Sequence, residues 1–276
     1  MINGLYTQLL LMLNTSGSYL VTRGAGVKSV FGHNFGAVPS FPIVTSRRTM
    51  WKTALKELEW FMSGKETCPE GALSDIWWKG QLSPDNTLRQ GYPLQLRHSP
   101  SPLGAFDQVA WLRHEIKEHP SSRRLCLTVW NPGTMAAFPE INENPMAPTC
   151  CHAVWNQFQV RDGQLHMNAV FRSTDAILGL PHNLVQHRAL QLYFAHHAGV
   201  SAANSYQLYL NDVHIYDHPD HNDFVSWLAE GHYPRMEPDT NDLIYTPSDV
   251  DFRAEDFTLK EELRLPLYTK KIERTL

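Results

Sequence analysis

The feature that most constrains the fold is a strand, a tight turn, a second strand and a long helix in immediate succession. The stretch QFQVRDGQLHMNAVF (157–171) alternates apolar and polar residues around an Asp-Gly pair at 162–163, which is typical of an antiparallel hairpin. The stretch LVQHRALQLYFAHHAG (184–199) then carries apolar residues at helical spacing, and Gly199 provides a stop. Because no linker divides the chain, we expect one domain over residues 1–276.

Further helices and one further strand are predicted around this unit. TMWKTALKELEWFMSG (49–64) and FDQVAWLRHEIKEH (106–119) have apolar residues at helical spacing, and MINGLYTQLLLMLNTSG (1–17) is interpreted as an amphipathic helix rather than a signal peptide. SSRRLCLTVWNP (121–132) is predicted to be a strand entered through two arginines. The segment 67–102 is rich in Pro, Gly and Ser, so we expect mostly loop, with a length that indicates function.

The composition excludes several classes of protein. Hydrophobic residues make up 42% of the 276, enough for a sizeable core, and a formal net charge of −4 argues against a protein that coats nucleic acid. No stretch approaches the roughly 18 apolar residues of a membrane span. Four cysteines are too few for a disulfide framework, and the adjacent Cys150 and Cys151 are not expected to bond each other. We therefore expect a reducing, cytoplasmic location, the host cytoplasm for a viral protein.

The adjacent cysteines in APTCCHAVWNQF (147–158) allow three interpretations: one of them is a nucleophile, they are metal ligands, or they are packed side chains. If the Asp-Gly pair forms the hairpin loop, residue numbers that sum to about 325 face each other. Arg172 then lies opposite Ala153, with Cys151 two residues further on the same face. A neighbouring arginine lowers the pKa of a thiol and supplies thiolate, which makes Cys151 the candidate nucleophile. Cys150 is expected to be buried and inert, unless a bulge reverses the parity and favours it instead.

Two further groups of polar residues bear on the chemistry. Arg172 and Ser173 in FRSTDAILGLPHN suit a phosphate, whereas Asn183 near a helix start is either a cap or a binding residue. HIYDHPDH (214–221) has histidines at ligand-like spacing, but Pro219 prevents a regular helix from aligning them, and the chain has no Cys-x-x-Cys pair. We therefore expect no metal site.

A series of motifs gives the chain a resemblance to a known family. In chain order they are SVFGHNF (29–35), FPIVTSRR (41–48), ELEWFMSG (57–64), DIWW (75–78), SSRR (121–124), TCCHA (149–153), FRSTDAILGLPHN (171–183) and NDVHIY (211–216). Together they resemble thymidylate synthase and its pyrimidine nucleotide hydroxymethylase relatives over residues 20–257. The resemblance implies an α/β (α+β) fold, a single domain with a large twisted mixed β-sheet flanked by helices. It also implies a homodimer in which the two sheets pack back to back.

The resemblance implies transfer of a one-carbon unit to carbon 5 of dUMP, with 5,10-methylenetetrahydrofolate as co-substrate. Cys151 would attack carbon 6 of the pyrimidine and make carbon 5 nucleophilic. Glu57 would orient a water network at the base, and Tyr92 would assist proton removal from carbon 5. The implied catalytic residues are Cys151, Glu57, Tyr92, Asp175, Arg172 and Asn183.

Binding roles follow from the same resemblance. The residues implied to bind the nucleotide are Arg23, Arg123, Arg124, Arg172, Ser173, Asn183, His214 and Tyr216. Of these, Arg123 and Arg124 would reach the phosphate in the neighbouring subunit, and Arg23 lies one residue from its expected register. The residues implied to bind the folate are Trp77, Asp175, Gly179 and Arg47, with Arg48 as a further cation. No membrane or nucleic-acid partner is expected.

Asn183 indicates which base is bound. A side-chain amide can donate to uracil O4 and accept from N3–H at once. The cytosine-specific hydroxymethylases that resemble this family carry an acidic residue at this position. The asparagine therefore predicts dUMP as the substrate.

Departures from the family pattern concern the nucleophile and the folate pocket. One extra residue separates Cys151 from Gln157, which we interpret as a bulge; without a gap, His152 would take the nucleophile's place. His182 replaces a phenylalanine near the folate, and Pro93 replaces the glycine after the catalytic tyrosine.

Two other departures concern the product. The C-terminal stretch LRLPLYTKKIERTL (263–276) does not resemble the synthase tail that closes over the cofactor and excludes water. Glu59 stands where synthases usually have an apolar residue, as in the hydroxymethylases. Both favour water addition, and hence a dUMP 5-hydroxymethylase. The alternatives are a thymidylate synthase that transfers hydride and a non-catalytic homologue that binds nucleotide or RNA.

Overall fold

A computed structural model describes residues 2–22, 24–232, 241–263 and 268–272 of the protein. The helices are α1 (Ile2–Ser16), α2 (Trp51–Ser63), α3 (Tyr92–Arg97), α4 (Gln108–Glu118), α5 (Pro132–Met135), α6 (Phe138–Ile141), α7 (Leu180–Ala198) and α8 (Pro219–Ala229). The strands are β1 (Ser18–Thr22), β2 (Ala25–Pro39), β3 (Ser99–Ser101), β4 (Gly104–Phe106), β5 (Cys126–Leu127), β6 (Trp155–Arg161), β7 (Gln164–Asp175), β8 (Ser201–Ala202), β9 (Ser205–Tyr216), β10 (Leu243–Tyr245) and β11 (Phe257–Leu259). A π-helical turn covers Leu73–Trp77 and a 3-10 turn covers Ala254–Asp256.

The central layer is a seven-stranded sheet in the order β1-β2-β9-β7-β6-β5, with β8 beside β7. Strand β7 runs parallel to β9 and β8, and the other neighbouring strands are antiparallel. Helices cover one face of this sheet, and α7 and α2 contribute much of the apolar core there. This architecture confirms the predicted fold class, a large mixed sheet flanked by helices.

The predicted hairpin forms in the predicted register. Its pairs run from Arg161 opposite Gln164 to Trp155 opposite Val170, and the turn residues at 162–163 both have positive φ. Short polar and glycine residues tolerate that conformation best, so the turn chemistry sets the register of β6 and β7.

The pairing between β6 and β7 ends before it reaches the cysteines. Strand β6 begins at Trp155, and Ala153 has a φ of 53°, in the left-handed region that a residue with a Cβ seldom adopts. The predicted pairing of Arg172 with Ala153 is therefore wrong, because the chain bends out of the sheet at 151–154. The bend lies within the stretch to which we assigned the extra residue.

Helix α7 lies between the sheet and α2. Phe194 contacts Phe158 of the sheet with ring centroids 5.3 Å apart, and Gln186 on the other side donates to the Ala54 carbonyl of α2 at 3.0 Å. The helix ends as predicted at Gly199, whose φ of 73° forms a left-handed cap. Because α7 is enclosed by both layers, even most of its polar side chains are buried.

The opposite face of the sheet carries exposed apolar side chains. Trp155, Val170 and Tyr209 pair in one row across β6, β7 and β9, and Trp155 and Tyr209 are exposed. Phe31 on β2 is 84% exposed. Large exposed apolar side chains grouped on one sheet face are typical of an interaction surface.

Two predicted segments differ from the structure. The strand predicted over 121–132 shortens to β5. Just beyond β5, the Gln108 side chain binds both the N–H and the carbonyl of Thr128, and the Thr128 hydroxyl donates to the Val154 carbonyl, so the Thr128 backbone pairs with a side chain and not with a strand. The segment 67–102, predicted to be mostly loop, also contains the π-helical turn, helix α3 and strand β3. The sequence pattern missed these elements because they are only three to six residues long.

Candidate active site

Tyr92 holds the bend that carries Cys151. The backbone N–H of Cys151 donates to the Tyr92 hydroxyl oxygen at 2.8 Å, and its Sγ lies 3.4 Å from the same oxygen. The buried Tyr92 ring stacks on Phe61 of α2 with centroids 4.4 Å apart, and burial raises the pKa of its phenol. The phenol therefore stays protonated, so its proton can be donated to the Cys151 sulfur.

The two adjacent cysteines differ in how far they are buried. Cys151 is half-buried, so its thiol is open to a substrate, whereas Cys150 is fully buried. Burial raises the pKa of the Cys150 thiol well above its ordinary value. All four cysteines are free. Of the adjacent pair, Cys151 meets the demands of a nucleophile.

Arg172 reaches the same loop from β7. Its backbone N–H donates to the Cys151 carbonyl at 2.8 Å, and its guanidinium donates to the Cys150 carbonyl at 3.4 Å and to Thr149 Oγ1 at 3.0 Å. The guanidinium also lies 5.3 Å from the centre of the Trp130 ring. A cation is thus held beside the Cys151 loop, as expected, although a bend and not strand pairing places it there.

Glu57 is buried on the face of α2 that meets α7. Its two carboxylate oxygens accept from Trp78 Nε1 at 2.6 Å and from Gln186 Nε2 at 2.8 Å. Buried carboxylates need such partners. The family resemblance pointed to Glu57, but nothing in the sequence indicated either donor, since neither is near it in the chain.

The loop that follows β7 is organised by Asp175. One of its carboxylate oxygens accepts from the backbone N–H groups of Ile177 and Leu178, at 2.8 and 3.0 Å. Its carbonyl accepts from the N–H of Gly179, and a Cβ there would lie 3.2 Å from that carbonyl oxygen, so the turn favours glycine. Asn183 is buried in the first turn of α7. The structure therefore brings Asp175, Gly179 and Asn183 together at one turn.

His214 and Ser173 lie on the neighbouring strands β9 and β7, where His214 pairs with Asp175. Ser173 pairs with Asp212 in the parallel β7–β9 ladder. Asp212 accepts from Ser29 Oγ at 2.9 Å and lies 2.8 Å from His214 Nδ1, and the His214 hydrogen bond holds the pKa of the Asp212 carboxyl below its usual range. The proton on Nδ1 leaves His214 Nε2 as an acceptor when the ring is neutral. Tyr216 lies next to it, with ring centroids 5.3 Å apart.

The residues expected to bind the folate lie near the loop that follows β7 and the start of α7. The half-buried Trp77 ring lies 4.6 Å from the His182 ring. Arg47 donates to the Ile177 carbonyl and forms a parallel β-bridge with Tyr268. Arg47 is thus engaged with the loop after β7, where Asp175 lies.

Three other predicted cations stand apart from this cluster. Arg123 and Arg124 are exposed at a turn before β5, where the Arg123 carbonyl accepts from Gln157. Arg48 is exposed. Arg23 lies outside the described residues. Within one chain, the described arginines of this group make no contact with Cys151 that would place them at its site.

Buried histidines make the folded state sensitive to acid. Burial lowers the pKa of His187 to about 4 and lowers that of His152 as well. In the unfolded chain the pKa of histidine is about 6.5, so protonation favours unfolding. We expect no effect above pH ~6.5 and a loss of up to roughly 3 kcal/mol of unfolding free energy from His187 as the pH falls towards 4. Denaturant titrations across that window measure the slope.

A matched pair of variants tests this origin of the slope. His187→Phe should reduce the slope between pH ~6.5 and 4, with the remainder coming from His152, whereas His166→Phe, at an exposed position of β7, should leave the slope unchanged. Equal slopes in His187→Phe and the unmodified protein would show that His187 is not the group responsible.

Neither a metal centre nor a membrane span stands out in the part of the chain that the structure describes. Across those residues, no three His, Cys, Asp or Glu side chains gather in a way that could hold a metal ion. His218 instead caps α8, and Pro219 begins that helix. None of the described helices is long and apolar enough to cross a bilayer.

Comparisons with known proteins agree with this geometry. The family model for thymidylate synthase matches residues 5–268. A thymidylate synthase from Equine herpesvirus 2 (strain 86/87) is 30% identical over 267 residues, which cover 86% of this chain and 86% of the relative. The chain therefore belongs to the thymidylate synthase family, one-carbon transferases that act on dUMP with 5,10-methylenetetrahydrofolate as co-substrate.

Proposed function

We propose that the protein is a dUMP 5-hydroxymethylase in which Cys151 bonds covalently to carbon 6 of the pyrimidine. The observation that carries the proposal is the half-buried Cys151 thiol, held by the Tyr92 hydroxyl on a loop that Arg172 binds. Attack of the thiolate on carbon 6 moves electron density to carbon 5, which then bonds to the one-carbon unit. Loss of the carbon 5 proton would expel tetrahydrofolate and leave a methylene on carbon 5. Water would add to that methylene, and release of Cys151 from carbon 6 would restore the double bond between carbons 5 and 6.

Tyr92 and Glu57 would move protons at the base. The Tyr92 oxygen already contacts the Cys151 sulfur, so a base attached to that sulfur places carbon 5 within reach of the phenol. The Glu57 carboxylate is oriented by Trp78 and Gln186, which supports a role in ordering water at the base.

Three groups of residues would each bind a different part of dUMP. Arg172 and Ser173 would bind the 5′-phosphate, His214 and Tyr216 the 3′-hydroxyl, and Asn183 the base. The His214 tautomer set by Asp212 supports this, because its Nε2 is free to accept from a hydroxyl.

5,10-Methylenetetrahydrofolate supplies the one-carbon unit when it is bound. The side chains present fit an aromatic and polar molecule: Trp77 offers a partly exposed ring for stacking, and Asp175 offers a partly exposed carboxylate. Arg47 would attract its negative charge. Glycine at 179 keeps the turn beside Asp175 compact.

The choice of water over hydride rests on Glu59 and the C-terminal segment. Glu59 accepts from the backbone N–H of Ala254 at 3.2 Å, so it anchors the part of the chain that leads to that segment. Tyr268 packs against Trp227 with ring centroids 5.3 Å apart. The stretch after residue 263 departs from the synthase tail in sequence, which favours access of water to the methylene on carbon 5. A synthase remains the second candidate, since the herpesvirus relative is named as one.

Product analysis tests this proposal. With dUMP and methylenetetrahydrofolate, we expect 5-hydroxymethyl-dUMP by mass spectrometry and no dihydrofolate absorbance. Thymidylate with an equal amount of dihydrofolate would contradict water addition and establish a synthase. The two products differ by one oxygen, so the nucleotide mass alone separates them.

Glu59→Leu should lower the hydroxymethyl share of the product. The change removes the contact with Ala254 and restores the apolar residue usual in synthases, so the ratio of hydroxymethyl to methyl product should fall roughly threefold or more. Glu118→Leu, at an exposed helical position, serves as the control and should leave the ratio unchanged. An unchanged ratio in Glu59→Leu would remove this residue from the explanation.

A homodimer follows from the same proposal. The exposed row of Trp155 and Tyr209 offers an apolar face for the sheet of a second copy. Arg123 and Arg124 are exposed in one chain, which suits a role in the partner's phosphate site. Light scattering should give twice the monomer mass, and a monomer would contradict the shared site.

A further inference from the structure

Trp130 is an exposed aromatic residue beside the candidate site, to which no role has been assigned. Its side chain is 38% exposed, and the centre of its ring lies 5.3 Å from the guanidinium carbon of Arg172. A cation within about 6 Å of a tryptophan ring is attracted by the negative face of that ring. The Trp130 ring and the Arg172 guanidinium therefore form a cation–π pair.

The hydrogen-bond partners of Arg172 are neutral as well. Its guanidinium donates to Thr149 Oγ1 at 3.0 Å and to the Cys150 carbonyl at 3.4 Å. In the part of the chain that the structure describes, no carboxylate forms an ion pair with Arg172. The hydrogen bond from His214 and, more weakly, the charge of Arg172 lower the pKa of the Asp212 carboxyl. The Arg172 cation is thus held in place by neutral groups.

A tryptophan ring holds a guanidinium differently from a carboxylate. A carboxylate accepts hydrogen bonds from the guanidinium and neutralises its charge, so it competes with any anionic ligand. The face of an aromatic ring attracts the cation without neutralising it. Packing against Trp130 therefore fixes Arg172 and leaves its positive charge available to an anion.

Hydrogen bonds fix Trp130 relative to the bend that carries Cys151. The Trp130 N–H donates to Thr128 Oγ1 at 3.3 Å, and the Thr128 hydroxyl donates to the Val154 carbonyl at 2.6 Å. The buried Gln108 side chain of α4 binds both backbone groups of Thr128, at 2.6 and 2.9 Å. Because Val154 belongs to the bend at 151–154, one threonine ties the tryptophan to the segment of the candidate nucleophile.

We propose that Trp130 is a positioning residue, which holds the Arg172 guanidinium against the loop that carries Cys151 and keeps its charge available to the 5′-phosphate of the nucleotide. The choice of the phosphate rests on the proposed function, whereas the packing of Trp130 on Arg172 does not.

Calorimetry with dUMP and deoxyuridine tests this role, because the two ligands differ only in the phosphate. Trp130→Leu removes the aromatic face but keeps an apolar side chain, so the Kd for dUMP should rise roughly fivefold or more while that for deoxyuridine stays within about twofold. Trp130→Phe keeps an aromatic face and should retain most of the affinity for dUMP. Trp130→Glu places a carboxylate beside Arg172 and should raise the Kd for dUMP roughly 30-fold or more.

Phe106→Leu is the matched control, since it removes an aromatic ring that is also 38% exposed and lies on β4. It should leave both dissociation constants unchanged. All four substitutions fall at exposed side chains and should leave the melting temperature close to that of the unmodified protein. An unchanged ratio of the two dissociation constants in Trp130→Leu would contradict a role at the phosphate.

Arginine-specific modification measures the packing without any nucleotide. Phenylglyoxal attacks accessible guanidinium groups, and peptide mass mapping gives the rate at Arg172. That rate should rise roughly threefold or more in Trp130→Leu and stay near the unmodified rate in Trp130→Phe and Phe106→Leu. An unchanged rate in Trp130→Leu would overturn the positioning role, whatever the nucleotides show. If the unmodified protein bound dUMP no better than deoxyuridine, the proposed phosphate site would be wrong, and the modification rates would still decide the role of Trp130.

Discussion

Cys151→Ala should reduce turnover of dUMP by roughly 10⁴-fold or more, because loss of the nucleophile removes the covalent route to carbon 5. The thiol is half-buried and in contact with the Tyr92 hydroxyl, whereas the neighbouring Cys150 thiol is fully enclosed. Nucleotide mass spectrometry on initial-rate samples measures the loss. Binding of dUMP, followed by calorimetry, should stay within about tenfold, since the arginine and amide contacts do not depend on the sulfur.

Cys150→Ala is the matched control. It removes a buried sulfur of the same size one residue away and should cost stability but little turnover. Residual activity in Cys151→Ala that disappears when Cys150 is replaced as well would assign the nucleophile to Cys150. Binding of dUMP without turnover in the unmodified protein would favour the non-catalytic homologue.

Asn183→Asp should change which base is accepted. The buried amide is expected to donate to uracil O4 and accept from N3–H, and a carboxylate cannot donate to O4 unless it is protonated. A site left with an unmatched buried polar group rejects its substrate strongly, so kcat/KM for dUMP should fall roughly 10³-fold or more. Turnover of dCMP should appear or rise. Parallel assays with both nucleotides give the ratio.

Asn211→Asp controls for the added charge, because Asn211 is exposed on β9. It should leave both rates close to those of the unmodified protein. If Asn183→Asp keeps its preference for dUMP, Asn183 acts as a helix residue and does not read the base.

The sequence predicted those parts of the fold that depend on residues close together in the chain. The hairpin register follows from the turn at 162–163, and helices α2 and α7 follow from apolar spacing and from Gly64 and Gly199, which both adopt left-handed caps. Such signals lie within a few residues of the element that they specify, so one sequence is enough.

The parts that sequence missed depend on distant contacts. The bend at Ala153 and the short strand β5 are fixed by partners on other elements, such as Gln108. The same holds for the site: Cys151, Arg172 and Glu57 were predicted, but Trp78 and Gln186, which orient Glu57, were not. The Cys151–Tyr92 contact joins positions 59 apart, and only the family resemblance pointed to that tyrosine.

Release of the hydrogen on carbon 5 tests the role of Cys151 most directly. Substitution at that carbon must expel its hydrogen to solvent, whichever group replaces it. With dUMP deuterated at carbon 5 and methylenetetrahydrofolate present, we expect loss of deuterium from the nucleotide in step with product, and none in Cys151→Ala. Product that keeps the deuterium, or equal loss in Cys151→Ala, would contradict transfer to carbon 5 through Cys151.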